Sequence, residues 1–193
     1  MKNCKKCIFF IGKEPEICGI VKKMLEAESC NVTYFSTAVD CLAAVKKQYV
    51  DCIITDINMI GMDGLGLLKE VKKIFSEKPV LMIIEDGDIE TAVRCMRKGA
   101  ADIIEKPLNT DILREKIKSI LNKSNRISHD VMSNLSRIEL VVLELVLSVK
   151  SSNSIGYLLD YPTRTIEDHR YKIMKKLGFH NVVDLVKAAV VMD

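Results

Sequence analysis

Three observations predict a doubly wound α/β domain followed by a small all-helical domain. Short, continuous apolar runs alternate with helical-period segments through about residue 120. Gly and Pro punctuate the borders between them. Beyond a polar stretch near residue 125 the strand signals stop, and only helical patterns and their caps remain.

The strands come first. Cys7 to Ile11 is apolar at every position, as expected for a strand buried on both faces. Val32 to Phe35, Cys52 to Thr55, Val80 to Ile84 and Ile103-Ile104 complete a set of five. Helices fall between them. Pro15 opens the first, where its missing N–H costs nothing. Ile17, Ile20, Val21, Met24 and Leu25 then recur at helical spacing. Val39, Leu42, Ala43 and Val45 mark the second helix, and Leu65, Leu67, Leu68, Val71 and Ile74 the third, after Gly64. Ile89, Val93 and Met96 mark the fourth, ended by Gly99. The fifth is expected from Asp111 to Leu121 with Thr110 as N-cap. Five β/α units with right-handed crossovers lead to a flavodoxin-like parallel sheet. Function in such a sheet sits at the carboxyl ends of the strands, where Asp56, Glu85 and Lys106 fall.

Asn122 to Arg126 is polar and reads as a linker. Ser136-x-x-Glu139 is a capping box opening a helix to about Val149. Asn153 is positioned to cap a short helix, and Asp160-Tyr161-Pro162-Thr163 turns the chain into a longer one, Arg164 to Leu177, ended by Gly178. Asn181 opens a last helix carrying Val182, Val183, Leu185, Val186 and Val190. Two helices about a tight turn within a four-helix unit of about 60 residues make a small DNA-binding bundle. The expected domains are 1–121 and 135–193, joined by a linker at 122–134.

Composition narrows the function classes. Net charge is +3, too mild to establish nucleic-acid binding by itself. Hydrophobic residues form 48% of the chain but aromatics only 5%, so the cores must rest on Ile, Val, Leu and Met. No apolar run approaches the ~18 residues of a membrane span, and Ile8 to Ile11 is too short for the apolar segment of a signal peptide. A cytoplasmic protein without a membrane partner is expected. The seven Cys lie mostly in apolar segments, as buried thiols of a reducing compartment do. Cys4-x-x-Cys7 has a metal- or redox-like spacing, but a zinc site needs a second pair, and none lies at a suitable spacing. The expectation is therefore no metal, with a thiol-dependent role for Cys4 and Cys7 as an alternative.

Asp56-x-x-Met59-x-x-Met62-Asp63-Gly64, Gly99-Ala100-Ala101-Asp102 and Glu105-Lys106-Pro107 together resemble a bacterial receiver domain. Leu135-Ser136-Arg137-x-Glu139, Asn153-Ser154-Ile155-Gly156, Arg164-Thr165-Ile166-Glu167-x-His169-Arg170 and Lys176-Leu177-Gly178 resemble the LuxR-type helix-turn-helix. In this order they resemble the NarL/FixJ response regulators over nearly the whole chain. The resemblance implies a DNA-binding transcriptional regulator, not an enzyme, with double-stranded DNA, a second copy of the chain and a sensor kinase as partners.

It also implies a phosphorylation site, of which only part is present. Asp56 matches the phosphoacceptor and Lys106 the phosphate-pairing lysine. The magnesium-binding acidic pair is expected at Ile11 and Gly12, the switch hydroxyl at Ile84 and the switch aromatic at Ile103; none of these residues can perform its role. Ile60 stands where a Pro is usual. A phosphoryl group adds nearly two negative charges. One uncompensated charge at 4 Å costs about 4 kcal/mol at an effective dielectric of ~20, or roughly a thousandfold in equilibrium. The expectation is weak or absent Mg2+ binding, with only Glu14 or Asp86 as substitute ligands. A permanent Asp56–Lys106 pair would then hold the receiver in one phosphorylation-independent state, with Ile84 packed on Ile103. A conventional switch at Asp56, and an interaction adapter that has lost DNA binding, stay open as alternatives. Ile112, Leu113, Ile117, Ile120 and Leu121 exceed the needs of one buried helix face, which points to a homodimer surface there.

On the candidate recognition helix, residues 164–176 hold five basic and two acidic side chains, whereas 131–193 as a whole is only +1. Thr165, Arg170, Lys172 and Lys175 are assigned mainly to phosphates. Arg164 shares the exposed face, and Glu167, Asp168 and Tyr171 lie where bases would be. Asp168 has a second possible role, a pair with Lys172 one turn on.

Overall fold

The computed structural model describes residues 6–28, 30–123, 134–148, 150–179 and 185. The chain forms two compact units, and the break after the sheet domain falls between Ser124 and Asn125.

The first unit alternates strand and helix: β1 (Lys6–Ile11), α1 (Pro15–Ala27), β2 (Cys30–Phe35), α2 (Ala38–Val45), β3 (Cys52–Asp56), α3 (Gly64–Ile74), β4 (Val80–Ile84), α4 (Ile89–Arg97), β5 (Asp102–Glu105) and α5 (Thr110–Lys123). The strands are parallel in the order β2-β1-β3-β4-β5. The order reverses between β1 and β3, and this switch point opens a crevice at their carboxyl ends. The central strands read as predicted: every residue of β3 and β4 is buried. Edge strand β2 has three of its six residues exposed and one buried, because only one neighbour and one covered face protect it.

Along β1 the side chains alternate. Ile8 and Phe10 join Ile54, Ile83, Leu113, Ile117, Ile120 and Leu121 in one core cluster, so α5 packs back on its own sheet. This corrects the expected apolar surplus on α5: of the five apolar positions named there only Ile112 is exposed. At the amino end of the sheet, buried Asp51 accepts from the Cys7 N–H at 2.7 Å and from Lys6 Nζ at 3.2 Å. Buried Lys78 donates to the Val50 carbonyl at 2.6 Å. Buried charges so provided are tolerated, because each replaces lost water with a partner.

Two caps differ from expectation. Asn109, not Thr110, accepts from the N–H groups of Asp111 and Ile112 at the start of α5. That helix continues to Lys123, two residues into the expected linker. In the second unit, α6 (Arg137–Leu147) opens with the predicted reciprocal box of Ser136 and Glu139. For α7 (Ser152–Leu159) the cap is Ser151, which accepts from the Ser154 N–H. Asn153 lies inside that helix and accepts from the Thr163 hydroxyl instead. Helix α8 spans Thr163–Leu177 and ends at Gly178, whose φ of 74° is the left-handed form that favours glycine. Cys4, most of the linker and most of the expected last helix lie outside the described residues; Leu185 is helical and buried.

Candidate phosphoacceptor crevice and nucleic-acid interface

Asp56 is positioned from three sides. Its backbone ends β3 beside Ile83 of β4, and its carboxylate accepts from the Asn58 N–H at 2.9 Å. Behind it, α3 begins at Gly64 because nothing larger fits. A Cβ there would lie 2.3 Å from the Asp56 carbonyl oxygen. Asp63 caps α3 through the Gly66 N–H, and the Gly64 N–H donates to the Ile57 carbonyl at 3.0 Å. The Asp63-Gly64 pair therefore braces the loop that presents Asp56.

Lys106 arrives from the end of β5, where its N–H donates to the Ile84 carbonyl. Its ammonium lies 2.8 Å from Asp56, 3.2 Å from Glu85 and 3.4 Å from Glu14. Burial disfavours the charge, but these carboxylates outweigh it and raise the Lys106 pKa above its ordinary value. Asn58 Nδ2 donates to the Glu85 carboxylate at 3.0 Å. That bond, the Lys106 bond and the nearby Lys13 charge hold the Glu85 carboxyl below its usual range.

The structure places the vacant positions differently from the sequence. Ile11 pairs with Thr55 and is fully buried, on the opposite face from Phe10. It does not line the crevice around Asp56 and Lys106; Gly12, Lys13 and Glu14 do. One residue of register accounts for the difference, since successive strand residues point to opposite faces. The Tyr34 hydroxyl donates to the Gly12 carbonyl and draws β2 against this corner. Magnesium takes near-octahedral oxygen ligands, and these residues do not fit it. Gly12 brings no side-chain oxygen, Lys13 brings a positive charge, and the Lys106 ammonium already bonds all three carboxylates. Asp86 lines a second cleft, which shares Lys106 with this crevice. Ile84, fully buried, and Ile103, half-buried, line that second cleft between β4 and β5, with Ala92 and Ile112.

The sequence reading missed Lys13, Asn58 and the Glu85 bond. Glu85 was visible at a strand end, but its partners are 21 and 27 residues away.

In the second unit, buried Ile166 and Ile173 seat α8 against its neighbours. Gly156 allows the tight turn before it, because a Cβ there would lie 2.7 Å from the Tyr161 carbonyl oxygen. Glu139, buried in the first turn of α6, accepts from Lys176 Nζ of α8 at 2.7 Å. Burial alone would raise this carboxyl, but Lys176 and Ser136 outweigh it and hold its pKa at about 2.

Arg164, Glu167, Asp168, Tyr171, Lys172 and Lys175 are exposed, as expected. Thr165 is half-buried. Arg170, expected to contact phosphate, is half-buried; its guanidinium donates to the Ser152 hydroxyl at 2.7 Å and ties α8 to α7. His169 is half-buried, and its Nδ1 is enclosed without a hydrogen-bond partner. Asp168 makes no ion pair with Lys172 or with any other described residue.

Comparison with known proteins gives both units a family. Residues 8–118 match the response regulator receiver domain, and residues 133–189 match the bacterial regulatory proteins of the luxR family. The transcriptional regulatory protein FixJ of Bradyrhizobium diazoefficiens is 30% identical over 191 residues, covering 94% of this chain and 93% of that one. The response regulator protein TodT of Pseudomonas putida is 27% identical over 97% of this chain and 86% of its own. Full-length FixJ from B. japonicum aligns in structure over 97% of both chains with a TM-score of 0.59. The receiver domain of NtrX from Brucella abortus, 37% identical, aligns over 61% of this chain with a TM-score of 0.58.

Proposed function

Because the chain belongs to the response regulators that join a receiver to a LuxR-type DNA-binding domain, and is a transcriptional regulator of the FixJ type, we propose that its receiver holds one state without phosphate. The observation that carries this is the Lys106 ammonium shared among Asp56, Glu85 and Glu14, beside Gly12 and Lys13. A phosphoryl group on Asp56 would take Lys106 from two other carboxylates and place about two further charges near them. Among the described residues no cluster of His, Cys, Asp or Glu is placed to hold a metal ion that would balance that charge. The lock spans three segments, the β3–α3 loop through Asn58, the end of β4 through Glu85, and the end of β5 through Lys106.

The protein then binds double-stranded DNA through the exposed face of α8, in a cytoplasmic setting and as a homodimer, and needs no sensor kinase to do so. Among the described residues no helix is long and apolar enough to cross a membrane. Among the described residues, Ile89, Val93 and Met96 of α4 and Ile112 of α5 are exposed, and they offer apolar surface to a second copy.

The test is incubation of the full chain with a small phosphodonor and Mg2+, read by intact mass and by DNA affinity. No mass gain and unchanged affinity are expected. A stoichiometric gain that disappears in Asp56→Ala overturns the proposal in favour of the conventional switch.

A further inference from the structure

The two carboxylates of α8, Glu167 and Asp168, form no ion pair with a described residue, and Asp168 is the one that faces directly outward. Successive helix residues turn by about 100°, so buried Ile166 and Ile173 define the inward face and Asp168 lies almost diametrically opposite. Its neighbours on that outward stripe are Arg164 and Lys172, one turn to each side, with Tyr171 and Lys175 beyond. All are exposed. Asp168 is thus a single negative charge at the crest of a cationic stripe.

Each ordinary explanation for an acid there fails. The first turn of α8 holds no acidic residue, and Asp168 is in the second turn, beyond the reach of the helix dipole. Lys172 at i+4 does not pair with it, and no described side chain or backbone group donates to it. In a complex with DNA it would be repelled by phosphates. The crest of a recognition helix, in its N-terminal half, meets base edges rather than the backbone. Among major-groove edges the cytosine N4 amine is a donor that a carboxylate accepts from. Adenine N6 lies beside the N7 acceptor, which repels it.

We propose that Asp168 is a specificity-determining residue that selects a C·G base pair by accepting from cytosine N4. This rests on the DNA-binding role proposed above. The same residue lowers affinity for DNA of any other sequence, so it separates target from bulk DNA from both directions.

The experiment is selection of bound duplexes from randomised DNA by the full chain and by Asp168→Ala and Asp168→Asn, followed by titrations at fixed salt. The native chain is expected to enrich one C·G pair, and loss of that pair to cost on the order of ten- to a hundredfold in affinity. A pyrimidin-2-one nucleotide, which lacks the 4-amino group, is expected to reproduce that loss with the native chain and to have no effect with Asp168→Ala. Asp168→Ala should also bind random DNA more tightly, since a like charge has been removed. Asp168→Asn should move the preference at that position to adenine, which an amide pairs with at N6 and N7. Identical base preferences in all three proteins overturn this inference and leave the DNA-binding role intact. Absence of salt-sensitive binding by the native chain overturns both.

Discussion

The crevice around Asp56 and the outward face of α8 both concentrate charge, but they treat it in opposite ways. In the crevice the charges satisfy one another. Lys106 bonds three carboxylates, and one of these also takes the Asn58 amide. On α8, Arg164, Glu167, Asp168, Lys172 and Lys175 form no ion pair with a described residue. A closed set of charges has little to offer an external ion, whereas an open one remains available to a polyanion. The crevice thus holds its charges inward, and the outward face of α8 presents them.

The largest perturbation expected to break the closed set is Gly64→Ala. Its methyl would collide with the Asp56 carbonyl, so thermal unfolding should report a loss of about 3 kcal/mol in the sheet unit. α8 should retain its DNA contacts in the same protein.

Next in size is Glu139→Ala, which removes the reciprocal cap of α6 and the Lys176 bond together. Denaturant unfolding of the helical unit should show a loss on the order of 2 kcal/mol. The sign with pH follows from the lowered carboxyl. Its stabilisation is complete above the ordinary value of 4.5 and is lost as pH falls towards about 2. The variant should lose that part of the acid dependence; an unchanged acid limb would show that the bond contributes nothing in solution.

Lys172→Ala and Lys175→Ala test the open set. Each should weaken binding to all sequences alike and reduce the salt slope by about 1. Stability should change by no more than about 0.5 kcal/mol, because both side chains are exposed and form no ion pair with a described residue. Smallest of all is Glu85→Gln. Its carboxylate is about half exposed, so stability should change by at most about 0.5 kcal/mol. The informative readout is amide exchange in the β4–α4 loop, which should accelerate when the Lys106 and Asn58 bonds weaken.

Much of this was legible along the chain. Continuous apolar runs predicted β1, β3 and β4, since a strand buried on both faces has no polar positions to show. The Ser136 and Glu139 box announced α6, because a cap is a contact over three residues. Edge strands were blurred, as β2 shows, because only half of each edge is buried. Local alternatives also misled: Thr110 and Asn153 are acceptable caps by type, but Asn109 and Ser151 hold the geometry.

For this protein the sequence by itself determined the two-domain order, the parallel sheet, and the presence of Asp56 and Lys106 without their usual companions. It did so because periodicity and capping act over a few residues and leave their mark in the order of side chains. Only the tertiary structure decided that Gly12 and Lys13, rather than Ile11, line the crevice, that Glu14 and Glu85 share Lys106 with Asp56, and that α5 buries its apolar face. Those outcomes depend on strand register and on partners tens of residues apart, and neither is encoded in local spacing.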